Sequence, residues 1–323
     1  MDYNINDELS KIAKLKIPAN IRLLPVMNVV MKIIKCKSDN KVIVSKHITQ
    51  GFDGAQLSTY IISPKNCRDT LPCIVFYHGG GFMLKASGAH YQIAKWYAEM
   101  GNCKVVYTDY RLAPKYPFPI PVEDCYCTYK WVLDHADMLG INKEKVIIAG
   151  DSAGGNLAAA VTLMLNDREQ IIPNGVMLIY PVTDRRMITE SMKKYTDTPV
   201  WDANLSKMMW DAYLGEKIPV QIQYASPMEA ETLVDFPKTY IEVAEFDSLR
   251  DEGVAFSQRL QTDGVSVELY EVKGACHGFE TALDSSIVQD AMQRRLKWIC
   301  NVLGVKGIGS GGVKGTGFVT HDS

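Results

Sequence analysis

The chain has 323 residues, 47% of them hydrophobic and 22% charged, with a formal net charge of −2. That length and balance suit a soluble globular protein with a substantial core, and α/β enzymes of this size often form one domain. They exclude a strongly basic nucleic-acid binder and give no reason to expect an anionic membrane as partner; no run of five or more basic residues argues otherwise.

The first eight residues are acidic and lack the charged-then-apolar layout of a signal peptide. Residues 21–34 are apolar-rich, but Arg22, Pro25, Asn28 and Lys32 interrupt them, which excludes a spanning helix. A soluble, cytoplasmic protein without stable membrane insertion is therefore expected. Residues 7–35 read as two amphipathic segments broken near Pro18 and Pro25, either a helix pair packed on the core or a lid. Next come two alternating runs, Lys41–Thr49 and Ala55–Ser63, around Gly51-Phe52-Asp53-Gly54, a pattern that predicts a β-hairpin.

From there strands and helices alternate. Strands are predicted at 73–77, 103–107, 145–149 and 175–180, with helices at 88–100, 121–138 and 153–166. Residues 183–235 break the rhythm with methionines and aromatics but no strand, either an ordinary helical excursion or a cap over a cavity. Strands at 239–244 and 265–272 and helices at 249–262 and 284–302 complete a mostly parallel sheet with helices on both faces. The glycine-rich stretch 304–323 cannot bury enough to order itself and reads as a flexible tail. The eight cysteines are scattered without a C-x-x-C pair, the usage of reduced, mostly buried thiols. Cys125-Tyr126-Cys127 has no Cys or His partner nearby, so no metal is expected.

Ala149-Gly150-Asp151-Ser152-Ala153-Gly154-Gly155 falls at the corner between the strand at 145–149 and the following helix. A serine between glycines at such a corner has the pattern of a nucleophile elbow, where a side chain at either glycine would crowd the turn. The pattern alone recurs in about one chain of this length in ten. A second, rarer feature stands immediately after strand 73–77: His78-Gly79-Gly80-Gly81-Phe82. Consecutive glycines let backbone N–H groups face a cavity, as acyl transfer requires for the negative oxygen of a tetrahedral intermediate. The expected donors are the N–H groups of Gly80, Gly81 and Ala153.

A serine nucleophile needs a base, and the base an orienting acid. Downstream of Ser152 only His277 and His321 are histidines, and His321 lies in the tail, which leaves His277. The acid should follow the preceding strand. Asp247 is the first aspartate beyond that strand's end, with Glu245 the second alternative; Asp251 falls one turn into the next helix, where it suits the N-terminus electrostatically.

These pieces together resemble the hormone-sensitive-lipase-type esterases of the α/β-hydrolase superfamily over about residues 70–300. The motifs that carry the resemblance are His78-Gly79-Gly80-Gly81, Gly150-Asp151-Ser152-Ala153-Gly154-Gly155, Asp247-Ser248-Leu249-Arg250-Asp251-Glu252-Gly253 and His277-Gly278-Phe279. Tyr110-Arg111-Leu112-Ala113-Pro114 with Phe118-Pro119 is similar too, and in that family this loop braces the oxyanion turn. Lys115 stands where the family usually has glutamate, and Ser248 where it has proline after the acid.

The resemblance implies an α/β-hydrolase fold with a central eight-stranded sheet and a helical cap. The cap would comprise the N-terminal segment (1–40) and an insertion at about 183–225, the hydrolase domain spanning 41–303. It also implies hydrolysis of short-chain carboxylic esters, small-molecule substrates, without any cofactor. The same machinery could serve an amidase or a lipase, while a hydrolase-fold receptor would lack the catalytic histidine. The last strand of such a sheet can pair edge to edge between subunits, so a homodimer is compatible with the sequence.

Overall fold

The computed structural model describes residues 3–65, 67, 70–216 and 218–305. The glycine-rich tail expected at 304–323 therefore lies, from residue 306 on, outside the described residues, as does His321.

Short 3₁₀ turns at Asp7–Leu9, Ile12–Lys14 and Ile21–Leu23 precede the first helix, α1 (Leu24–Ile33). The expected break at Pro25 is absent, because proline in the first turn of a helix forfeits only an N–H that has no intrahelical acceptor. α1 buries Leu24 and packs Met27 and Met31 on the core, while Val26, Val29, Val30 and Ile33 on its other side are exposed. In place of the expected pair of helices, the stretch holds one helix preceded by 3₁₀ turns, with one side packed on the core.

The hairpin β1 (Val42–Gln50) and β2 (Gln56–Pro64) opens the sheet, followed by β3 (Leu71–Tyr77), α2 (Gly88–Met100) and β4 (Lys104–Thr108). The predicted helix 121–138 is α3 (Ile120–Asp134) plus a single-turn α4 (Ala136–Leu139), ended by Gly140 in the left-handed region. β5 (Ile141–Asp151) is longer than predicted and runs up to the serine; α5 (Ala153–Asp167) and β6 (Gly175–Ile179) follow. Among the described residues of 183–235 are α6 (Glu190–Lys194), α7 (Ala203–Leu214) and no strand. β7 (Thr239–Phe246), α8 (Arg250–Thr262), β8 (Val267–Cys276) and α9 (Ser286–Leu303) complete the chain.

The eight strands form one sheet in the order β1-β2-β4-β3-β5-β6-β7-β8. The β1–β2 and β2–β4 pairings are antiparallel, and all pairings from β4 to β8 are parallel. Every residue of β3 and β6 is buried, as expected of parallel strands covered on both faces. Successive side chains alternate between two cores: Val75, Tyr77 and Ile148 pack with Leu157 of α5 and Phe256 of α8, whereas Ile74, Phe76 and Ile147 pack with Ile93 of α2 and Trp298 of α9. α5 is apolar all round and buried from Ala153 to Leu165, which is why its sequence shows no polar stripe.

Cys36, Cys73, Cys103, Cys125 and Cys276 are buried. Desolvation pushes the thiols of Cys73 and Cys276 up to about 12.

Candidate active site

The glycine-rich turn after β3, Ser152 after β5, Asp247 after β7 and His277 after β8 all leave the sheet at the carboxyl ends of parallel strands. That edge is where open α/β sheets gather their ligands.

Ser152 sits at φ 53° and ψ −119°, a strained backbone for a residue with a Cβ. Its amide donates to the Ile179 carbonyl at 2.8 Å, and its own carbonyl accepts from Val182 at 3.1 Å, so β6 and its loop hold the turn. The flanking glycines are obligatory by distance. A Cβ on Gly150 would lie 2.2 Å from the Gly154 carbonyl oxygen, and one on Gly154 would lie 2.0 Å from that of Tyr77.

The Ser152 Oγ is 3.0 Å from His277 Nε2, and His277 Nδ1 is 2.7 Å from Asp247 Oδ2, with all three residues buried. Asp247 Oδ1 accepts the Leu249 N–H at 2.9 Å, which fixes the carboxylate plane. The alternative acids are engaged elsewhere. Glu245 accepts from the Gly274 amide at 2.8 Å, and Asp251 accepts from the Ser191 amide at 2.8 Å while pairing with Arg250.

Gly80 and Gly81 both have positive φ (111° and 61°), and a Cβ on Gly81 would strike the Trp201 ring at 2.4 Å. Among the described residues the N–H groups of Gly80, Gly81 and Ala153 donate to no protein acceptor. Unpaired donors beside a buried hydroxyl form a ready site for an oxyanion. The 110–114 loop braces this turn, with the Tyr110 hydroxyl donating to the His78 carbonyl at 2.7 Å and the Ala113 amide to the Phe82 carbonyl at 2.9 Å.

Sequence reasoning missed a second brace. Asp151 accepts the Gly79 N–H at 3.0 Å through Oδ1 and meets His90 Nε2 at 3.0 Å through Oδ2. Burial alone would raise the Asp151 carboxyl, but His90 and the Gly79 amide outweigh it and hold it below its ordinary range. The Ser87 amide donates to His90 Nδ1 at 2.9 Å, so the other ring nitrogen carries the hydrogen toward Asp151. Nothing in the sequence links residues 61 apart; the one local signal is Ser87 three residues before His90, which reads as a helix cap and is one.

His78 stacks on Tyr107 and Tyr110, with ring centroids 5.5 and 4.5 Å away. Burial, aided by His90, lowers its pKa to about 4. The unfolded chain takes up this proton first as pH falls, so the stability it contributes is complete above about 6.5 and lost by about 4, amounting to about 3 kcal/mol. Urea unfolding at pH 7 and pH 4.5 should show this component in the wild type and its absence in His78→Asn; equal pH dependence in both would contradict it.

A cavity of about 280 Å³ opens on Ser152 and His277. Part of its lining is apolar, from Leu15, Ile17, Met31, Leu84, Val200 and Trp201, and part is polar, from His90, Asp151, Tyr97, Glu280 and Arg295. The buried Arg295 guanidinium pairs with Glu280 at 2.8 Å and with Glu242, and the Tyr180 hydroxyl donates to Glu280. Burial lifts the Glu280 carboxyl above its ordinary range despite Arg295. The N-terminal segment and the 183–235 insertion meet over this cavity, where the Val200 amide donates to the Leu15 carbonyl at 2.8 Å.

A family profile described as the alpha/beta hydrolase fold matches residues 74–281. Esterase LipI of Mycobacterium tuberculosis is 33% identical over 227 residues, covering 69% of this chain and 71% of that protein. Carboxylesterase NlhH of the same organism is 33% identical over 239 residues, covering 72% and 74%. Among solved structures, a bacterial heroin esterase superposes with a TM-score of 0.83 at 30% identity, over 93% of this chain and 98% of its own. Esterase LipW from Mycobacterium marinum does so with a TM-score of 0.85 at 27% identity, over 93% and 96%. With these likenesses spanning the same strands that carry the glycine turn, the serine corner and the histidine, the chain belongs to the hormone-sensitive-lipase-type esterases of the α/β-hydrolase family.

Proposed function

We propose that the chain hydrolyses short-chain carboxylic esters through an acyl-enzyme. Ser152 Oγ attacks the ester carbonyl as His277 Nε2 takes its proton, and the N–H groups of Gly80, Gly81 and Ala153 receive the charge that develops on the carbonyl oxygen. Asp247 holds the imidazole by Nδ1 and stabilises its cationic form. His277 then returns the proton to the departing alkoxide, and the alcohol leaves. In the second half, water gives a proton to His277 and attacks the acyl carbonyl; the proton passes to Ser152 Oγ as the carboxylic acid is released.

The observation that carries this reading is the unbroken hydrogen-bonded line from Ser152 through His277 to Asp247, at 3.0 and 2.7 Å, beside three unclaimed backbone donors. Relatives that are themselves named esterases and carboxylesterases support it. In this reading the N-terminal segment and the 183–225 insertion act as the cap, a role supported by the Leu15–Val200 hydrogen bond over the cavity.

The preference for short acyl groups is supported by the cavity's size, since a volume of about 280 Å³ leaves little room for a long alkyl chain beside Ser152. Turnover in a series of p-nitrophenyl esters should fall steeply beyond acyl lengths of about C6–C8. Preference for C12 or longer esters would overturn the acyl-length reading, and no hydrolysis at any length, together with no labelling by a fluorophosphonate, would overturn the esterase reading itself.

A further inference from the structure

The overall charge of −2 conceals an uneven distribution. Residues 9–38 contain seven lysines and arginines and no aspartate or glutamate, leaving twenty-eight basic against thirty-seven acidic residues, a charge of −9, on the rest of the chain. All seven basic side chains are exposed.

The same stretch carries α1, whose exposed face is apolar. Val26, Val29, Val30 and Ile33 recur at helical spacing opposite the buried Leu24 and the partly buried Met27 and Met31, and Val29 and Ile33 are 64% and 74% exposed. Lys32, Lys35 and Lys37 follow along or just past this face, and Arg22 precedes it. A helix with its inner side docked on a protein body and an apolar outer side flanked by cations is suited to lie at the headgroup boundary of an anionic lipid layer. Among the described residues no helix is long and apolar enough to cross a membrane, so the contact would be peripheral.

We infer that α1 and its basic flanks dock the protein on an anionic lipid surface. A second copy is a poor occupant, since a twofold pairing of this face would set the four cations Arg22, Lys32, Lys35 and Lys37 against the same four. Position adds to the argument. Leu15, Ile17 and Met31 of the same stretch line the cavity that holds Ser152. The docking stretch therefore also walls the cavity, so an ester taken up by the lipid layer would be brought close to Ser152.

The test is co-sedimentation of the full chain with phosphatidylcholine vesicles containing about one-third phosphatidylglycerol, against pure phosphatidylcholine. Binding should be at least about tenfold stronger to the anionic vesicles, and should weaken as salt shortens the screening length from about 10 Å toward 3 Å. The double variant Val29→Glu/Ile33→Glu should lose about tenfold or more in vesicle affinity while keeping wild-type kcat on a water-soluble short ester, because neither side chain lines the cavity. Equal binding to both vesicle types, no binding, or binding untouched by the variant would each overturn the inference. So would a wild-type dimer that the variant converts to monomer in sedimentation velocity with vesicle binding unchanged. Binding is read without turnover, so its failure leaves the esterase reading intact.

Discussion

Ser152→Ala is expected to lower kcat on a short acyl ester about 10⁶-fold, the scale on which removal of the nucleophile acts in triads of this kind. The substitution deletes one oxygen and leaves the backbone contacts of the turn, through the Ile179 carbonyl and the Val182 amide, in place. Circular dichroism and the unfolding midpoint should therefore change little while turnover and fluorophosphonate labelling vanish together. The residual rate would come from the Gly80, Gly81 and Ala153 donors acting on bound ester without a nucleophile, as such sites still exceed water by about 10³–10⁴-fold. A variant that retained a tenth of wild-type turnover would remove Ser152 from the mechanism, whatever its labelling.

Asp247→Asn should cost about 10⁴ in kcat for a reason visible in its hydrogen bonds. Oδ1 receives the Leu249 N–H, so an asparagine would keep its oxygen there and turn its amide NH₂ toward His277 Nδ1. Nδ1 would then have to accept, moving the ring hydrogen to Nε2, where it meets the Ser152 hydroxyl at 3.0 Å and cannot take a proton from it. The geometry survives and the tautomer is wrong. Asp251→Asn and Glu245→Gln alter braces to Ser191, Arg250, Gly274 and Lys273, so kcat should stay near wild type in both. Loss of turnover in one of those two variants, with Asp247→Asn active, would reassign the acid.

The order of strands and helices was legible because local chemistry and tertiary demand agree along most of this chain. β-branched runs such as Lys145–Ile148 lead into buried strands, and the glycines around Ser152 are required by contacts of 2.0 and 2.2 Å that any side chain would violate. The residues of the candidate site could be read off because each follows a strand, so that topology alone carries it to one edge of the sheet. What could not be read depended on contacts between distant segments. His90 with Asp151, the Trp201 ring over Gly81, and Arg295 between Glu242 and Glu280 join positions with no shared pattern. The stretch that holds α1 reads as amphipathic, a pattern that does not reveal that its exposed side is apolar as well.

The buried cysteines bear on how this centre can be probed. Cys276 is the direct neighbour of His277 along the chain, yet with its thiol pushed up to about 12 it holds almost no thiolate at neutral pH and offers an electrophile nothing to attack. Cys73, Cys103 and Cys125 are equally sealed. A phosphonylating reagent small enough to enter the cavity therefore meets no thiol among its lining residues, and modification located at Ser152 can be read without interference from sulfur there, whereas the partly buried Cys67, Cys127 and Cys300 lie outside it.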